Sequence, residues 1–194
     1  MSNLRSFTLE LNPPSDFGPL KSMHEETVKQ ILSESDRMTR KACLDAKQKM
    51  HIVLLTEEMI SVLPHLMEYG SGKFWINSVD NVFELHLQVT PKDTAAQRKA
   101  KDHGASRTFM GRIIDIFGKA ASRSSKNEEQ TSWSLGSYIE KLKQQGTDKQ
   151  SDEWDELEHS ILANLADDVI VKNVNNDVEL VIIKKVSPIE YEFT

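Results

Sequence analysis

The chain has 194 residues, 38% of them hydrophobic and 28% charged, with a net charge of −6. That length buries roughly 70% of the unfolded surface, enough for one core without a disulfide or metal staple. The lone Cys43 excludes an internal disulfide and a multi-cysteine metal site, and the negative balance argues against nonspecific nucleic-acid binding.

No apolar run approaches the ~18 residues of a membrane span, and the opening MSNLRSFTLELNPP lacks a signal-peptide core, so the expected location is cytoplasmic. Charge is unevenly distributed. Residues 1–91 hold 9 basic and 12 acidic side chains, residues 92–126 hold 9 and 3, and residues 127–194 hold 6 and 15. A basic stretch beside an acidic one reads first as a solvated loop with intramolecular pairing, and second as a surface for an acidic partner.

In chain order, Phe7, Leu9 and Leu11 alternate as one face of a half-buried strand, stopped by Asn12-Pro13-Pro14. Ser15 or Asp16 then caps a helix with apolar positions Leu20, Met23, Val28, Ile31 and Leu32, extending to about Glu34. A long helix is predicted from Asp36 to about Tyr69, because the only proline or glycine in that span is Pro64, where a kink is expected. Ile52, Leu55, Met59, Val62 and Leu66 form its apolar stripe.

Gly70-Ser71-Gly72 reads as the end of that helix. Two strands follow, 74–76 and 82–89, joined by the turn Ser78-Val79-Asp80-Asn81, with Phe83, Leu85, Leu87 and Val89 on one face. Residues 92–108 are polar and basic. Phe109 to Phe117 is a short helical stretch whose Phe109, Ile113, Ile116 and Phe117 give it an apolar contact with the main body. Residues 121–131 read as a flexible loop, and Trp133-Ser134-Leu135 leads into a short helix with Tyr138, Ile139 and Leu142.

A polar linker, 144–150, precedes a capped helix with the stripe Trp154, Leu157, Ile161 and Leu165. Val169-Ile170-Val171 and Val178 to Ile183 form the last hairpin, about the turn Asn175-Asn176-Asp177. The order of elements predicts an α+β fold, a two-layer α/β sandwich. Its mixed, mostly antiparallel sheet carries helices on one face, and a polar and helical insert at about 92–150 interrupts a single domain.

That order, with three groups of residues, resembles the GHKL-type (histidine-kinase-like) ATPase fold, in its anti-sigma-factor serine-kinase branch. Glu57, Ser61 and His65 match the spacing of the family's Glu-x-x-x-Asn-x-x-x-His helix, with serine at the asparagine position. The stretch 161–169, with Val178 to Lys185, resembles the family's last helix and hairpin. The resemblance covers residues 1–90 and 151–186. It implies Mg-ATP held by the asparagine and a glutamate that orients a water.

This chain departs from the family at each motif. Ser61 reaches less far than a carboxamide. Thr90 stands where the adenine-reading aspartate of Asp-x-Gly-x-Gly belongs, and neither glycine follows. Gly104, Gly111, Gly118 and Gly136 are isolated rather than grouped as a phosphate-cradling loop.

The resemblance with these departures implies a regulatory protein-binding module deficient in ATP binding, more a pseudo-ATPase than an enzyme. Glu57, Ser61, His65 and Thr90 would be its remnant pocket, with no resident metal or cofactor. The expected partner is a protein of the sigma-factor or anti-sigma-antagonist type, with homodimerisation as another use of the same surface, and neither nucleic acid nor membrane. The competing reading is an ATP-dependent serine/threonine kinase with a rearranged pocket, in which Asp93, Asp102 or Asp115 replaces the missing acid and Lys99 or Lys101 clamps phosphates.

Taken alone, the Glu57–Ser61–His65 face reads as a solvated helix face with a weak Glu–His contact. Trp75 and Trp133 read as core or core-edge residues, Cys43 as a core thiol, and the six histidines show no zinc-ligand spacing.

Overall fold

The computed structural model describes residues 3–11, 25–67, 70–91, 109–124, 132–144, 152–175 and 177–187. Along the chain these form β1 (Leu4–Arg5), β2 (Leu9–Leu11), α1 (Glu25–Lys41), α2 (Ala46–Leu66), β3 (Gly70–Val79) and β4 (Val82–Pro91). They continue as α3 (Phe109–Ser124), β5 (Ser132–Ser134), α4 (Leu135–Gln144), α5 (Asp152–Glu158), α6 (Ile161–Leu165), β6 (Asp168–Val174) and β7 (Asp177–Lys185). The Pro13-Pro14 stop, the Ser15 or Asp16 cap, the basic stretch 92–108 and the linker after Gln144 lie outside the described residues.

The seven strands form one sheet in the order β1-β3-β4-β7-β6-β5, and β2 pairs with β3 on the same side as β1. Every pairing among the described residues is antiparallel, where a mixed, mostly antiparallel sheet was expected. The central hairpin pairs Gly70 with Pro91 through to Val79 with Val82. Its two-residue turn puts Asp80 and Asn81 at φ 47° and 67°, the left-handed conformation that lets a tight turn follow the strand twist.

Alternation decides which face is covered. Phe74, Ile76, Phe83, Leu85, Leu87, Val89, Val169, Val171, Val178, Leu180 and Ile182 all point to one side and join a single core cluster with side chains from all six described helices. The α2 stripe is buried as its spacing predicts, with Ile52, Leu55, Met59, Val62 and Leu66 all in that cluster. The architecture is therefore an α+β sandwich with helices on one face of the sheet.

The helices begin and end elsewhere than the periodicity suggests. The long helix starts at Ala46 rather than Asp36, and α1 runs on to Lys41. Between them Cys43 adopts φ 52°, and the Asp45 side chain accepts from the Gln48 amide at 2.7 Å, so a carboxylate cap restarts the helix with no glycine or proline present. Cys43 is exposed rather than a core thiol. Pro64 sits inside the last turn of α2, and the helix continues to Leu66.

The segment read as one helix after residue 151 is two. Ser160 caps α6 by accepting from the Ala163 amide at 3.2 Å, and the break takes Ile161 out of the stripe, leaving it 43% exposed while Leu162 is buried. Gly70-Ser71-Gly72 opens β3 instead of closing a helix. A Cβ at position 70 would lie 1.8 Å from the Thr90 carbonyl oxygen, so the close approach of two strand backbones, rather than a helix end, requires glycine there.

The insert is built into the main body. Ile113 and Phe117 of α3 are fully buried in the common core, Ile116 packs against it, and the Phe109 side chain lies outside the described set. Trp133 belongs to β5, an unanticipated strand that pairs with β6.

At the opposite edge, the first predicted strand is divided. Ser6 turns inward, its Oγ accepting from the Ile76 amide at 2.7 Å, while its own amide donates to the Ile76 carbonyl at 2.8 Å. Phe7 is expelled and 73% exposed, against the expectation of a buried position. Its amide donates to Glu34 of α1 at 3.0 Å, and the Arg37 guanidinium lies 5.0 Å from its ring centroid.

Candidate functional site

Glu57, Ser61 and His65 recur every four residues, so α2 presents them on one exposed face, away from its buried stripe. The Ser61 hydroxyl donates to the Glu58 carbonyl at 2.7 Å, a bond back to its own helix. Glu58, half-buried beside this face, is held above the usual carboxylate range, chiefly by burial and then by the neighbouring charge of Glu57.

Thr90 lies near the end of β4, paired with Ser71, and its side chain is exposed. Its backbone carbonyl is packed against Gly70. Among the described residues no hydrogen bond or ion pair joins Thr90 to Glu57, Ser61 or His65. Asp115 is half-buried on α3, whereas Asp93, Lys99, Asp102 and Lys101 lie outside the described set.

Magnesium requires near-octahedral oxygen ligation and shares it with phosphate and water. The α2 face offers it one carboxylate, Glu57, and one short hydroxyl, Ser61. No group of three or more His, Cys, Asp or Glu side chains among the described residues is arranged to hold a metal. At the position where the resemblance implies a carboxamide ligand for magnesium, the α2 face carries the shorter Ser61.

The start of α4 is served from within the chain. At the N-terminus of α4 the Gly136 amide donates to Asp168 Oδ1 at 3.1 Å and the Ser137 amide to Ser134 Oγ at 3.2 Å.

A second cluster, on the sheet face away from the helices, escaped the sequence reading. Trp75 and His86 face each other across β3 and β4 and stack with centroids 4.7 Å apart and an interplanar angle of 7°. The Arg5 guanidinium lies 5.5 Å from the Trp75 ring centroid. His86 Nδ1 is 2.7 Å from Glu179 Oε1 of β7, and Lys172 of β6 reaches Glu179 Oε2 at 3.2 Å. His86 Nε2 lies 3.2 Å from both Asn77 Nδ2 and Glu84 Oε2.

His86 and Glu179 are each 7% exposed. Burial pushes the Glu179 carboxyl up, but hydrogen bonds from His86 and Lys172, with their charges, outweigh it and hold the group below its usual range. The available sequence signal was the run of polar residues Glu84, His86 and Gln88 on the outward side of a strongly alternating strand. Their connection to Glu179 needs the β4–β7 register, which no local pattern contains.

No protein-family model matches this chain, and no curated protein matches it. Among the described residues no helix is long and apolar enough to cross a membrane.

Proposed function

We propose that this chain is a regulatory protein-binding module of the kind the anti-sigma-factor ATPase-like resemblance implies, acting through its surface and not through ATP turnover. The observation that carries this reading is the α2 face. Glu57, Ser61 and His65 keep the spacing of a nucleotide-binding helix, yet they are exposed, and the Ser61 hydroxyl is turned onto its own backbone. The α4 start, whose amides bond to Asp168 and Ser134, supports the same conclusion for phosphate.

In this mechanism the exposed α2 face meets a protein partner and occludes part of it, or meets a second copy of the chain. By resemblance the partner class is a sigma factor or an anti-sigma antagonist. Carboxylate, hydroxyl and imidazole in a row offer directional hydrogen bonds rather than apolar area, which suits a reversible contact in which register matters.

Thermal unfolding with and without millimolar Mg-ATP tests the reading, and no shift in melting temperature is expected. A ligand present at 100 times its Kd stabilises the folded state by about 2.7 kcal/mol. A shift of that order, lost without magnesium and lost in Glu57→Gln, would return the chain to the nucleotide-binding class, and phosphorylation of a protein partner from labelled ATP would then establish the competing serine/threonine kinase reading.

A further inference from the structure

The His86 ring meets more partners than any one protonation state can serve. Because Glu179 is ionised and accepts, Nδ1 carries a hydrogen and donates to it at 2.7 Å. A bare Nε2 then accepts from the Asn77 amide at 3.2 Å, while the Glu84 carboxylate oxygen, also at 3.2 Å, meets it acceptor to acceptor. With a proton on Nε2 the roles reverse: Glu84 becomes the acceptor, and the Asn77 amide meets a donor.

We propose that His86 is a proton-operated clasp on this sheet face. It is tied to Asn77 of β3 when the ring is neutral and to Glu84 of its own strand when Nε2 is protonated, with Glu179 of β7 held in both states. The chemistry is the uptake of one proton from solvent at Nε2. One hydrogen bond, from Asn77, is given up and another, to Glu84, is formed.

Each element around the ring contributes a defined group. Among the described residues these are Trp75 and Asn77 from β3, Glu84 from β4, Glu179 from β7, Lys172 from β6 through Glu179, and Arg5 from β1 through Trp75.

The exchange reaches the sheet edge. Asn77 is the register partner of Arg5, so the amide released on protonation lies beside the two-residue strand β1. Proton uptake at His86 therefore acts, through its new positive charge, on the ring stacked against Trp75, the indole that Arg5 of β1 also contacts.

Nitrogen-detected NMR of the imidazole in the full chain, assigned to His86 through the backbone, tests this across a pH series. The expected result is an Nδ1–H that persists and exchanges slowly at every pH where the fold is intact. Nε2 passes from acceptor to slowly exchanging N–H on acidification. In Glu84→Ala the acid-form Nε2–H should exchange at least tenfold faster, with Nδ1–H unchanged, and Asn77→Ala should alter only the neutral form. A neutral ring found as the Nε2–H tautomer would overturn the proposal. So would an acid-form Nε2–H that exchanges equally fast in the parent chain and in Glu84→Ala.

Discussion

The two faces of the same sheet are held by different physics. On the helix side, Phe74, Phe83, Leu85 and Leu180 join a cluster whose stabilisation scales with apolar area removed from water. On the other side, Trp75, His86, Glu179 and Lys172 link β3, β4, β7 and β6 through directional contacts, each dependent on its neighbours for charge and geometry. The first arrangement tolerates substitutions that keep volume; the second tolerates none that leave a partner alone.

Substitutions on each face measure that contrast. Phe83→Ala should have the largest effect, a loss of about 3–5 kcal/mol in urea unfolding, because it opens a cavity in the common core. Phe7→Ala removes the same side chain from an exposed site and should change stability by less than about 1 kcal/mol.

Glu179→Ala should cost about 2–3 kcal/mol, since it strands both a buried imidazole N–H and a lysine. Glu179→Gln keeps an acceptor and should cost less. Acid sharpens the same point. Glu34 and Glu179 are both held below the usual carboxylate range, Glu34 first by its hydrogen bond from Arg37 and Glu179 by His86 and Lys172 against the cost of burial. Their stabilisation is therefore fully present above the unfolded-state value of about 4.3 and lost as pH falls through the lower folded value. Unfolding free energies measured down that range should fall more steeply for the parent chain than for the Glu34→Gln/Glu179→Gln pair.

Ser6→Ala removes the acceptor for a buried strand amide and should cost about 1–2 kcal/mol, read as a lower urea midpoint. The smallest effect carries the opposite sign. Glu58 is held above its usual range by burial and by Glu57, so its ionised form opposes folding at neutral pH. Glu58→Gln should raise the melting temperature slightly at pH 7, and the gain should shrink as pH falls and the parent glutamate takes up a proton.

Sequence periodicity located the buried stripes of α2 and β4, but it also turned inward Phe7 and Ile161, which are exposed. The α2 stripe and the Phe83, Leu85, Leu87, Val89 alternation are buried as read, and both hairpins turn where Asp80-Asn81 and Asn175 stand. Caps break a continuous helical pattern without changing its period. Asp45 three residues before Gln48 is itself a capping signal, and Ser160 before Ile161 is another. Ser6 displaced Phe7 from the inward position because a hydroxyl satisfied the Ile76 amide where an aromatic ring has no acceptor to offer. The candidate site was legible only as a spacing on α2. The His86 network was not, because it joins residues as far apart as 86 and 179 through strand register.

The uneven lengths of the strands carry a consequence for life at high concentration. Ten-residue β3 and β4 lie inside the sheet, while its margins are the broken pair β1 and β2 on one side and three-residue β5 on the other. Unpaired backbone along a sheet margin is what a foreign strand needs to add itself and begin an aggregate. Among the described residues one margin is interrupted at Ser6–Thr8 and the other, β5, spans three residues, so an incoming strand finds no long straight template there. The same serine that satisfies an interior amide thereby helps keep one molecule from polymerising onto the next.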